Sequence, residues 1–96
     1  MTGRVLVVDD EREMCAVIEQ GLRRRGYDTE SRLTADAAWE TLLEADFDAV
    51  VTDLNMRGMN GVELCERIVT NRRDVPVIVV TGFGSLETAI ATMRAS

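Results

Sequence analysis

The sequence predicts an α/β domain built around a parallel sheet, and three observations carry that prediction. Short apolar runs that do not alternate with polar residues, above all Arg4 to Val8 and Val77 to Val80, read as strands buried on both faces. Each run is followed by a segment whose apolar residues recur at helical spacing. The strand–helix unit then repeats four times, at roughly 25 residues per repeat, the rhythm of right-handed crossovers between parallel strands.

After the first strand, Asp10 and Glu13 stand three residues apart, the spacing of a capping box. Met14, Val17, Ile18, Gly21 and Leu22 follow as one helix face. Arg23, Arg24 and Arg25 fall in its last turn, where cations suit the helix dipole, and Gly26 stops the helix. Tyr27 to Arg32 alternates and is polar, as an edge strand would be. Thr34 starts a second helix with Ala38, Leu42 and Ala45 inward and Trp39 and Leu43 on its flanks. Asp48 to Thr52 is the third strand and delivers Asp53 at its C-terminal end. Gly58 and Gly61 bound a loop, and Gly61 to Thr70 is a helix with Leu64, Cys65, Ile68 and Val69 as its stripe. Pro76 leads into the fourth strand, which ends in Thr81, and Ser85 caps a fourth helix carrying Leu86, Ala89, Ile90 and Met93.

With 96 residues the chain makes one domain, 1–96, and buries only about 60–65% of its unfolded surface, so its stability margin is thin. A content of 46% hydrophobic and 29% charged residues belongs to a folded chain. Seventeen acidic residues against eleven arginines give a net charge of −6, which argues against nucleic-acid binding by this segment and suits a divalent cation, although an acidic surface also serves plain solubility. No apolar run reaches the ~20 residues of a membrane helix, and no signal peptide precedes the first strand. Cys15 and Cys65 are too few for a disulfide framework and fit small buried side chains in a reducing, cytoplasmic setting. There is no histidine and no lysine, so histidine acid–base chemistry and histidine metal sites are excluded.

Open α/β sheets bind ligands beyond the C-terminal ends of their strands. Here those ends are Asp9-Asp10, Asp53 and Thr81. If strands one, three and four are neighbours, three carboxylates and a hydroxyl meet in one crevice. Carboxylates at about 4 Å repel by about 1–4 kcal/mol per pair, so a hard cation such as Mg²⁺ is the natural complement. One carboxylate can then serve as nucleophile toward a phosphoryl group while the metal offsets developing charge, and the Thr81 hydroxyl can hydrogen-bond a phosphoryl oxygen.

In Val7-Val8-Asp9-Asp10, Val51-Thr52-Asp53-Leu54-Asn55-Met56, Gly58-Met59-Asn60-Gly61 and Val79-Val80-Thr81-Gly82 the chain resembles, throughout its length, the receiver domains of bacterial two-component response regulators. The spacing agrees, with 44 residues from Asp9 to Asp53 and 28 from Asp53 to Thr81. The stretch Thr81 to Ala89 further resembles receivers of sigma-54-dependent, NtrC-type transcription activators. The resemblance implies a flavodoxin-like doubly wound sheet of order 2-1-3-4-5. It implies that Asp53 accepts a phosphoryl group from a sensor histidine kinase. Asp10, Asp53 and the backbone carbonyl of Asn55 would ligate Mg²⁺ directly, with Asp9 acting mainly through water. Thr81 would sense the phosphoryl group and switch an output domain, of the transcriptional kind that the subfamily resemblance implies. The domain would promote its own phosphorylation without being an enzyme on other substrates.

The chain departs from the family in ending at Ser96, before the fifth strand, its lysine and the fifth helix, and in having Arg57 where receivers carry proline. The expectation is therefore a C-terminally truncated receiver, prone to homo-oligomerise through the strand-four edge or the helix-four region. An alternative is a fragment that keeps the fold but not the switching and serves as an assembly module; a small metal-dependent phosphatase is a third. Two rival sites fail on spacing. An EF-hand loop starting at Asp53 would place Leu64 where a glutamate belongs, and a haloacid-dehalogenase pattern would need a second aspartate at Asn55.

Overall fold

A computed structural model of the chain describes residues 3–53, 61–71 and 74–80. Along them run β1 (Arg4–Val8), α1 (Arg12–Arg24), β2 (Asp28–Arg32), α2 (Ala35–Glu44), β3 (Ala49–Asp53), α3 (Gly61–Asn71) and β4 (Val77–Val80). The expected fourth helix lies outside the described residues. All strand pairs are parallel and the sheet order is β2-β1-β3-β4, so the doubly wound order 2-1-3-4 is observed. Val8 stands opposite Arg32 on one side and Thr52 on the other, and Asp53 stands opposite Val80. The chain leaves β1 toward β2 and then crosses to β3 on the far side, which makes the β1/β3 boundary the topological switch point.

The apolar strands bury both faces because successive side chains alternate across the sheet. Leu6, Val8 and Val50 pack with Ala35, Ala38 and Leu42 of α2 and with Leu64 and Ile68 of α3. Val5, Val7, Val51 and Ile78 pack on the other face with Cys15 and Ile18 of α1. The two cysteines therefore belong to helices on opposite faces, and both are free thiols. Trp39 packs against the α2/α3 side of the core, with the Arg67 guanidinium 6.0 Å from its ring.

Local chemistry sets the helix ends. The Thr34 hydroxyl accepts from the Ala37 N–H, as its N-cap position requires. At the end of α1, Gly26 has φ +91° and its N–H reaches the Arg23 carbonyl, while the Tyr27 N–H reaches Leu22, a Schellman closure that needs a residue tolerant of the left-handed region. Arg23 binds Glu19 and Thr29, tying α1 to β2.

Three expectations need correction. Asp10 does not cap α1: the N-cap is Glu11, without a side-chain cap bond, and the Glu11 N–H is taken by Oδ1 of Asp9 instead. The strand end brings that carboxylate to the helix entry first, in the i to i+2 pattern natural to aspartate. The inward stripe of α1 is Cys15, Ile18 and Leu22, whereas Met14 and Val17 are 39% and 65% exposed. A helix resting on a sheet buries a narrow line of residues, and two apolar stripes were available to this one. For the same reason α3 buries Leu64 and Ile68 and leaves Val69 60% exposed.

Leu42 is fully buried and Leu43, its neighbour, is 64% exposed. Leu42→Ala should lower the unfolding free energy by about 2–5 kcal/mol, and Leu43→Ala should change it by less than about 0.5 kcal/mol. Urea titration followed by far-UV circular dichroism checks both. Equal losses would show that α2 packs by another face.

Candidate functional site: an acidic cluster at the switch point

The parallel register decides where the carboxylates go. β1 and β3 run side by side in the same direction, so Asp9, the residue just past β1, and Asp53, the last residue of β3, emerge at the same edge of the sheet. Asp10 follows in the turn that leads into α1. One carboxylate oxygen from each of Asp9, Asp10 and Asp53 lies within 4.8 Å of the others. This is the convergence expected from the strand ends, and among the described residues it is the one such group of potential metal ligands.

The three members differ in setting. Asp9 is buried, 5% exposed, whereas Asp53 is half-buried and Asp10 is exposed. Asp9 is also anchored at three points. Its N–H donates to the Arg32 carbonyl (3.2 Å), its carbonyl accepts from the Cys15 thiol (3.4 Å), and its Oδ1 accepts from the Glu11 N–H (2.9 Å). Beneath Asp53, Thr52 is fully buried and its hydroxyl donates to the Asp53 carbonyl at 3.0 Å. Asn55 and Thr81, the other expected site residues, lie outside the described residues.

Burial is the main force that pushes the Asp9 carboxyl above the usual aspartate range; the Glu11 N–H opposes it, and the charges of Asp53, Asp10 and Glu11 push it further up. At this separation a pair of carboxylates repels by about 1 kcal/mol in water and by a few kcal/mol at an effective dielectric of about 20. The donor set is all carboxylate oxygen, without nitrogen or sulfur, which selects hard cations over zinc or copper. A site of three carboxylates, one exposed and one half-buried, fits Mg²⁺, which keeps several of its own waters.

The sequence did not reveal how Asp9 is held. The signal was present, since Cys15 lies six residues on, in the first turn of α1, but a cysteine at that position reads equally well as a small core residue.

Comparison with known proteins supplies the family context. A family model described as the response regulator receiver domain matches residues 5–96. The DNA-binding transcriptional regulator NtrC of Rhizobium meliloti (strain 1021) is 41% identical over 93 residues, covering 94% of this chain and 19% of that protein. The transcriptional regulatory protein PrrA of Mycobacterium leprae (strain TN) is 34% identical over 92 residues, covering 96% and 40%. The chain thus spans a fifth to two fifths of these relatives. Among solved structures, the response regulator protein TrrA from Thermotoga maritima in complex with Mg²⁺-BeF superposes with a TM-score of 0.82 at 27% identity, covering 85% of this chain and 71% of that one. TrrA in complex with the histidine kinase ThkA gives 0.80 at 26%, covering 88% and 72%.

A carboxyl whose pKa is raised by folding holds its proton to higher pH in the folded than in the unfolded state. Stability is therefore lost as pH rises from the ordinary aspartate value, about 4, through the raised value. In EDTA, Asp9→Asn should melt above wild type at neutral pH, and the gain should shrink as the pH is brought down to about 4. Thermal melts across that range check this, and a gain that does not change with pH would count against the repulsive cluster.

Proposed function

Because this chain belongs to the response regulator receiver family, we propose that it is the phosphoacceptor domain of a two-component regulator, with Asp53 as the residue that takes the phosphoryl group. The observation that carries this is the placement of Asp53 at the end of β3, half-buried, with an oxygen within 4.8 Å of carboxylate oxygens of both Asp9 and Asp10. In the transfer an Asp53 oxygen attacks phosphorus, the P–N bond to the kinase histidine breaks, and the imidazole leaves with the bonding pair and picks up a proton. Asp10, Asp53 and the Asn55 carbonyl would hold Mg²⁺ directly and Asp9 through water. Bound there, the ion supplies positive charge against the three carboxylates and the incoming phosphoryl oxygens.

The remaining roles follow from the same reading. The buried Asp9 sets the field of the site, and the Thr81 hydroxyl meets the phosphoryl group. Phosphorylation adds about 1.5–2 negative charges beside carboxylates, a local electrostatic change able to bias a remote surface. The partner is a sensor histidine kinase, and the output is transcriptional, as the names of the similar regulators suggest. With a net charge of −6 this domain does not itself grip nucleic acid. It acts on no substrate other than its own Asp53. A cytoplasmic location suits its two free thiols, and no helix among the described residues is long and apolar enough to cross a membrane.

Incubation with Mg²⁺ and acetyl phosphate should give a single phosphoryl adduct by intact-mass spectrometry. The adduct should be absent in Asp53→Ala and when EDTA replaces Mg²⁺. An adduct that survives Asp53→Ala would move the acceptor elsewhere. Repeated release of phosphate from many equivalents of donor would instead indicate a phosphatase.

A further inference from the structure

The three anchors of Asp9 come from three different parts of the fold: the end of β2, the turn before α1, and the first turn of α1. Two of them are backbone groups that any sequence would supply. The third is the Cys15 thiol, a side chain chosen by the sequence. We propose that Cys15 is a positioning residue of the acidic site: its S–H holds the Asp9 carbonyl and thereby fixes how Asp9 sits beside Asp10 and Asp53. This deepens the reading of the cluster as a cation and phosphoryl site and rests on it.

The geometry gives the thiol little choice of partner. Cys15 is 2% exposed and its own N–H is tied to the Glu11 carbonyl, so its backbone is set by the helix it belongs to. Glu11 in turn donates to the Asp9 carboxylate. Asp9, Glu11 and Cys15 therefore close a loop in which the thiol controls the main-chain side of Asp9 and the Glu11 N–H controls its carboxylate side. A buried carbonyl deprived of its donor has no water at hand to replace it, and the segment relaxes to find another partner. Burial first, then the charges of Asp9 and Glu19, push the Cys15 thiol up, so it remains a protonated donor through the neutral range.

Packing alone would make a different demand. Cys15 also contributes to the core with Val5, Val7 and Ile18, and a purely apolar role would be met by valine and harmed by serine. Cys15→Val, Cys15→Ala and Cys15→Ser separate the two. Mg²⁺ affinity is measured on each by isothermal titration calorimetry, and metal-free stability by thermal melts in EDTA. Loss of the donor in Cys15→Ala and Cys15→Val should weaken Mg²⁺ binding about fivefold, the low end of what leaving a buried carbonyl without a donor costs. Cys15→Ser, which keeps an O–H donor, should stay within about twofold of wild type in Mg²⁺ affinity even where its metal-free melting point falls. For a variant too unstable for calorimetry, the rise in melting temperature with Mg²⁺ concentration reports the same affinity. Wild-type affinity in both Cys15→Ala and Cys15→Val overturns the proposal, as does a serine variant as weak as alanine. Asp53→Asn keeps the two levels apart: unchanged Mg²⁺ affinity there removes the cation site itself, whereas lost affinity there alongside an indifferent Cys15 removes only the positioning role.

Discussion

The pairing of β1 with β3 is the constraint on which the rest of this molecule depends. Residues far apart in sequence, Asp9 and Asp53, are brought to one edge only because two apolar strands run in the same direction in matched register. That pairing is enforced by the core. Val50 and Val51 face opposite sides of the sheet and are both buried, and a slip of one residue would exchange their faces and set every neighbour against the wrong helix. The same register that satisfies the core thus imposes proximity on carboxylates that would otherwise avoid one another.

That proximity is energetically adverse. Domains of this size are stable by only about 5–15 kcal/mol, so a few kcal/mol of repulsion at one edge is a sizeable share. Burial of Asp9 adds to it, since the charged form loses water without gaining a counter-charge from its three anchors, of which only the Glu11 N–H touches the carboxylate. A cation that binds the folded form lowers this penalty and stabilises the domain by mass action. Site and fold are coupled through this term: whatever neutralises the cluster also tightens the sheet edge that carries it.

Most of this architecture was legible because each strand is a short apolar run and each helix begins or ends on a recognisable residue. Thr34 and Gly26 mark helix ends by chemistry that depends on two or three neighbouring atoms, and both behave as the sequence suggests. The inward faces of α1 and α3 were less legible. Met14, Val17 and Val69 are as apolar as the residues that are buried, so periodicity alone admitted two rotations of the helix, and the sheet beneath decided between them. The cap of α1 is hard to read from the sequence for a related reason. Asp9 and Asp10 are chemically identical, and only the direction of β1 determines which carboxylate reaches the Glu11 N–H.

That last distinction gives the acidic pair its division of labour. Asp9 is buried and bound at its N–H, its carbonyl and its carboxylate, so it has little freedom to follow a ligand. Asp10 is exposed and can adjust its side chain to an ion and its waters. Asp53 lies between these extremes, half-buried on a strand whose backbone is fixed by β1 and β4 on either side. On the proposed function, a substitution that loosens Asp9 should be felt as weaker cation binding before it is felt as loss of fold, because the core on both faces of the sheet makes no use of its carboxylate.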